Sequence, residues 1–277
     1  MNNIASPLSF RQFGAENGRL VVYFHGVPGA PEECGVFDSL AKAHGLTLIC
    51  FDRFAIAPTL KGEAYFTRLA NEINALAAGR PVDFVGFSIG AFVALQTCRH
   101  MAGGVRNLHL VSAAAPLEAG DFLGAMAGKA VFRLAQKRPA FFVALSYWQS
   151  LLARLAPKAL FRLLFASATG ADKALAAEPD FQLGMINVLK SCFLGNVGGY
   201  TRDVLAYVRP WNSSLAEIST PTHLWHGTED NWSPVAMAEY LKAAIPSAST
   251  ITLFNGLSHY SCLHRAMPEI AKRLAEG

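Results

Sequence analysis

The 277-residue chain predicts an α/β fold: a mostly parallel central sheet flanked by helices, with a helical insertion. Three features carry the expectation. Short, nearly continuous apolar runs recur along the chain, as strands buried on both faces require. Helical patterns separate them, which implies parallel strands joined by right-handed crossovers. The alternation stops near Pro116 and resumes near Pro221.

Leu20–Phe24 reads as the first strand, and a helix follows over 33–44. Leu46–Phe51 is the second, and the helix over 62–78 is marked by Leu60, Phe66, Leu69, Ile73 and Leu76 at helical spacing. Val82–Phe87 leads into a helix over 89–102, and Leu108–Ser112 ends the first series. Thr222–Trp225 opens the second series. Its helix over 234–245 has Pro234 in the first turn and Ser233 as the N-cap. Ser249–Phe254 and a helix over 262–275 close the chain. Between the two series the chain is rich in Ala, Leu, Phe and Arg and is broken by Pro139, Pro157, Pro179 and Pro210, so several short helices are expected there. The domain reading is a core of residues 1–116 and 211–277, with 117–210 inserted as a helical lid over one end of the sheet.

Composition narrows the class. The chain is 52% hydrophobic and 16% charged, with a net charge of +4, which excludes a disordered chain. No uncharged apolar run reaches the roughly 18 residues of a membrane helix. The start, MNNIASPLSF, lacks a basic stretch followed by an apolar block, so no secretory signal is read. Cys34, Cys50, Cys98, Cys192 and Cys262 are odd in number and widely spaced. They read as reduced thiols of a cytoplasmic protein, without disulfide or zinc site.

The strongest chemical signal is Gly86-Phe87-Ser88-Ile89-Gly90, a G-x-S-x-G pattern set between a strand and a helix. A sharp turn there strains the serine backbone and pushes the hydroxyl out of the sheet, while the glycines let neighbouring backbone pass. Serine needs a base. Asp230, in His226-Gly227-Thr228-Glu229-Asp230, and His259, in Gly256-Leu257-Ser258-His259, both follow predicted strands. Both therefore fall on the sheet edge from which Ser88 projects.

In these motifs the chain resembles lid-bearing serine hydrolases of the α/β-hydrolase fold superfamily, of the esterase or lipase kind. The resemblance extends to His25-Gly26-Val27-Pro28-Gly29, similar to an H-G-x-P-G oxyanion loop, and covers nearly all of the chain outside the lid. Asp52-Arg53-Phe54-Ala55-Ile56-Ala57-Pro58-Thr59 resembles the family's D-R-x-G-x-G-x-S stretch, with two alanines for glycines and threonine for serine. The resemblance implies that Ser88 attacks an acyl carbonyl, His259 carries the proton and Asp230 orients the imidazole. It also implies that the backbone N–H groups of Val27 and Ile89 meet the oxyanion.

Glu229 and Glu118 are rival acids. His264 is assigned to the last helix, while His25 and His226 are read as loop organisers. His44, His100, His109 and His223 have no partner motif and read as structural or surface residues. There is no H-E-x-x-H, no Cys/His cluster, no G-x-G-x-x-G and no P-loop, so neither a metal, a cofactor nor a nucleic-acid partner is expected. The expected partner is a small molecule with an acyl group. The insertion carries 11 Lys/Arg against 6 Asp/Glu, and no acid at all between Phe122 and Ala171. Its basic residues form a solvated face, or attract an anionic substrate or an anionic membrane surface. Its aromatics form its own core, some of them facing an apolar pocket. The activity expected is cleavage of a small or medium carboxylic ester. Thioester, amide or C–C bond hydrolysis, acyl transfer, or plain ligand binding on the same fold are the alternatives.

Overall fold

The computed structural model describes residues 7–277; Met1–Ser6, part of the segment read for a signal, lie outside the described residues. Seven strands form one sheet: β1 (Phe10–Gly14), β2 (Arg19–Phe24), β3 (Leu46–Phe51), β4 (Val82–Phe87), β5 (Val105–Val111), β6 (Thr222–Gly227) and β7 (Ala248–Phe254). Their spatial order is β1-β3-β2-β4-β5-β6-β7. β1 runs antiparallel to β3 and every other pairing is parallel. β3 and β4 are buried along their whole length, as their unbroken apolar runs require. β1 is an edge strand with largely exposed residues, and no apolar run announces it.

The helices of the first series are α1 (Asp38–Ala43), α2 (Glu63–Ala77) and α3 (Ile89–Cys98). The expected helix over 33–44 divides, because Pro31–Phe37 winds as a tighter 3-10 turn before α1 begins. α3 is buried on every side, which is why its apolar residues are not confined to one face.

Between β5 and β6 the chain runs through α4 (Lys129–Lys137), α5 (Pro139–Leu155), α6 (Pro157–Phe165), α7 (Asp172–Leu175), α8 (Pro179–Lys190) and α9 (Val197–Tyr207), with a π-turn at Ser191–Gly195. Pro139, Pro157 and Pro179 each sit in the first turn of a helix, where the missing N–H costs nothing. The chain closes with α10 (Val235–Ala244) and α11 (His259–Glu276). Two helix starts differ from the sequence reading. Ser233 lies two residues before α10, where Pro234 takes the N-cap position, and does not cap it, because its N–H donates to Asp230 and its carbonyl accepts from His226. α11 starts at His259, three residues early, since Ser258 and Ser261 form a reciprocal capping box.

α9 is tied to the loop after β3 by charge. Asp203 Oδ2 accepts from Arg53 Nε at 2.7 Å, and Asp203 Oδ1 from Arg202 Nε and Nη2 at 3.1 and 3.0 Å. Arg202 also donates to the carbonyls of Ile56 and Arg53, and its guanidinium lies 3.8 Å from the Tyr65 ring centroid. The loop's Ala55 and Ala57 do not adopt positive φ, so alanine sits there without strain.

Candidate active site

The turn between β4 and α3 holds Ser88 at φ 57 and ψ −127, a backbone that L-residues rarely adopt. Packing enforces it. A Cβ on Gly90 would lie 2.2 Å from the Phe24 carbonyl oxygen, and one on Gly86 would lie 2.6 Å from the Ala91 Cα. The Ser88 backbone is pinned, its N–H to the Val111 carbonyl at 3.0 Å and its carbonyl to the Ala91 N–H at 3.0 Å.

β6 ends at Gly227, and the tight turn beyond it delivers Asp230. Oδ1 accepts from the N–H groups of Trp232 and Ser233 at 2.8 and 2.9 Å. Oδ2 accepts from His259 Nδ1 at 2.8 Å. Burial pushes the Asp230 carboxyl up, but the charges of His259 and His226 and these hydrogen bonds outweigh it and hold it below the usual carboxylate range. His259, at the start of α11, is buried between Phe87 and Trp232, with ring centroids 4.8 and 5.7 Å away. Its imidazole therefore packs on the residue that precedes Ser88. Among the described residues, the Ser88 hydroxyl and His259 Nε2 do not hydrogen-bond to one another, so of the three side chains only Asp230 and His259 are directly joined.

The rival groups lie elsewhere. Glu118 accepts from the N–H groups of Trp211 and Asn212, each at 2.7 Å, and Glu229 is exposed. His264 is on α11 against Phe37 and Phe181. His226 Nε2 donates to the Ser233 carbonyl at 2.7 Å and so shapes the turn that carries Asp230. His25 is buried against Phe54, with Nδ1 at 2.9 Å from the Gly26 carbonyl; burial and the Arg53 charge depress its pKa.

Ser88, Ile89, Val27 and Pro28 line one cavity of about 310 Å³. Its remaining wall is mostly apolar and comes largely from α4, α5, α6, the π-turn and α9, with Phe132, Leu145, Leu164 and Phe193 prominent and Gln149, Ser167 and Ser233 as polar members. Among the described residues, no protein acceptor takes the N–H of Val27 or of Ile89.

One residue escaped the sequence reading. Glu33 is buried beneath the 25–29 loop, where Oε1 accepts from the Gly26 N–H at 3.0 Å and the Tyr23 hydroxyl at 2.8 Å. Burial raises its carboxyl to about 7, although these donors, Arg53 and His259 act to lower it. The only advance signal was an acid close behind the H-G-x-P-G pattern.

With strand order, the strained Ser88 turn and the acid–histidine pair in place, the class is that of an α/β hydrolase fold, and comparison with known proteins agrees. Residues 21–273 match the alpha/beta hydrolase family, and the chain belongs to that family. An esterase from Exiguobacterium antarcticum superposes with a TM-score of 0.70 at 17% identity, covering 98% of this chain and 96% of its own. An enol-lactonase from Burkholderia xenovorans LB400 gives 0.66 at 17% identity, with 97% and 95% covered. A bromoperoxidase from Bacillus anthracis gives 0.67 at 17% identity, with 96% and 92% covered. A search of curated proteins found no significant match.

Proposed function

We propose that the protein is a serine hydrolase that cleaves a small or medium carboxylic ester through Ser88, His259 and Asp230. The observation that carries this is the 2.8 Å contact of Asp230 Oδ2 with His259 Nδ1. It assigns the proton to Nδ1 and leaves Nε2 bare as a base, in the cluster that also holds the strained Ser88 turn. The Ser88 hydroxyl rotates to Nε2 when substrate binds, as catalytic hydrogen bonds commonly tighten only in the complex. Ser88 Oγ then bonds to the acyl carbon while its proton passes to Nε2. The carbonyl oxygen gains negative charge and meets the N–H groups of Val27 and Ile89. The C–O bond to the alcohol breaks as Nε2 returns the proton to the leaving oxygen. Water, deprotonated by the same nitrogen, releases the acid and restores Ser88.

The apolar lining of the cavity supports an acyl group rather than a charged substrate, and 310 Å³ lies at the small end of ligand pockets. In this reading residues 117–210 serve as the lid, since they supply most of that lining. Five buried free thiols suit a reducing, cytoplasmic setting.

Ser88→Ala tests the assignment. We expect turnover of p-nitrophenyl esters to fall about 10⁶-fold with the unfolding midpoint unchanged. Labelling by a fluorophosphonate probe should vanish with it. Esterase activity that survives in Ser88→Ala refutes the nucleophile. A wild-type protein that neither labels nor turns over any of a panel of esters, thioesters and amides refutes the hydrolase and favours a binding role.

A further inference from the structure

The outer face of α5 is unusually apolar. Phe141 is 67% exposed, Tyr147 61%, Trp148 51%, Leu151 54% and Leu155 73%. Phe141, Ala144, Trp148, Leu151 and Leu155 follow one another at intervals of three and four, with Tyr147 exposed beside Trp148, so they form one stripe along the helix. The opposite face, with Phe142, Ser146 and Ala153, is fully buried and already meets the core's demand. α6 adds Leu163, also exposed. Isolated exposed leucines need no explanation, but a continuous stripe of this kind marks a contact surface.

The charges around it are of one sign. Lys129, Arg133, Lys137, Arg138, Arg154, Lys158 and Arg162 are all exposed, and among the described residues none of them forms an ion pair. No acid occurs between Phe122 and Ala171 to neutralise them. α4 and α6, which carry six of these residues together with the Arg138 linker, both pack on α5.

We propose that this face of the helical segment docks on an anionic lipid surface, with the α5 stripe entering the interface and the surrounding cations meeting lipid phosphates. An aromatic and leucine stripe bordered by lysine and arginine is the pattern of a helix lying in the membrane plane, and tryptophan and tyrosine favour the headgroup level. A second copy of the chain fits less well. A two-fold pairing through the stripe brings the cations of both copies together, with no acid between Phe122 and Ala171 to offset them. Trp148 and Leu163 belong to the stripe and also line the 310 Å³ cavity. The docked face thus borders the pocket that the proposed hydrolase activity uses, although the docking itself does not depend on that activity.

The test is co-sedimentation with vesicles of phosphatidylcholine alone and of phosphatidylcholine with phosphatidylglycerol. It uses the full-length protein and its Ser88→Ala variant, which should bind alike whatever the enzymology. Wild type is expected to prefer the anionic vesicles and to lose affinity as salt rises. Arg133→Glu/Lys137→Glu/Arg138→Glu should lower partition by about a hundredfold. Leu151→Glu/Leu155→Glu should lower it about tenfold or more. Neither set touches the cavity or the core, so both should keep the wild-type unfolding midpoint. Absence of wild-type binding to anionic vesicles overturns the proposal. So does binding that only the charge variant weakens, since the stripe then stays out of the lipid. A wild-type dimer that becomes monomeric in the leucine variant overturns it in favour of a second copy.

Discussion

Removing the carboxylate of Asp203 should be among the most damaging single substitutions in the molecule. The side chain is fully buried and is the one anion between two buried guanidinium groups, so the wild-type cluster already carries a net positive charge. Asp203→Ala leaves Arg53 and Arg202 facing each other without a counterion. Arg202 keeps its bonds to the Ile56 and Arg53 carbonyls, but Arg53 keeps only a 3.4 Å contact with the Gly26 carbonyl. Breaking one buried pair costs about 3–5 kcal/mol, and two cations losing one partner puts this case at the upper end, about 5 kcal/mol. An unfolding entropy of about 2.1 cal/mol/K per residue gives this chain about 0.6 kcal/mol/K, so the midpoint should fall by about 8 °C in calorimetry. Glu269→Ala is the internal control. Its pair with Arg265 is 54% and 41% exposed, and the loss should stay below about 0.5 kcal/mol. A decrease of less than about 1 kcal/mol for Asp203→Ala would show that the arginines do not depend on this carboxylate, and the network would lose its structural role.

Two further outcomes follow from the loop beneath the cavity. The Glu33 carboxyl, raised from 4.5 to about 7 by burial, adds stability that is fully present below pH 4.5 and is lost as pH rises through about 7. Glu33→Gln cannot ionise, so from pH 5 to pH 9 its unfolding free energy should gain on wild type by about 3 kcal/mol; parallel profiles in urea titrations would disprove the titration. Gly29→Ala places a Cβ 2.3 Å from the Gly26 carbonyl oxygen and 2.6 Å from His25 Nδ1, neither of which can move freely. The Val27 N–H should shift with the loop, and kcat on a p-nitrophenyl ester should drop about 10²–10³-fold; unchanged kcat would remove Val27 from the oxyanion site.

Much of the sheet was legible because parallel strands buried on both faces must be apolar throughout. Leu46–Phe51 and Val82–Phe87 were read with their true limits for that reason. β1 was missed by the same logic, since an antiparallel edge strand such as Phe10–Gly14 has no need of a buried run. The Ser88 turn was readable because its geometry demands glycine at both flanks, and Gly86 and Gly90 do abut neighbouring backbone. The Asp230–His259 contact was foreseeable only from chain order and strand ends. The Arg53–Asp203–Arg202 cluster left no local trace, because 150 residues separate Arg53 from its partner. Glu33 showed only as an acid close behind the H-G-x-P-G pattern, because burial of a charge is not written in neighbouring letters. Helix starts failed where backbone groups were claimed by the site, as at Ser233, or where two serines capped each other, as at Ser258 and Ser261.

All five cysteines are free and buried. The native chain therefore offers bulky maleimides no ready sulfur, and a cysteine engineered at Leu151 or Leu155 would be its one accessible attachment point. An environment-sensitive dye fixed there would report by its colour whether that helix sits in water or in oil, without a cysteine-free background having to be built first.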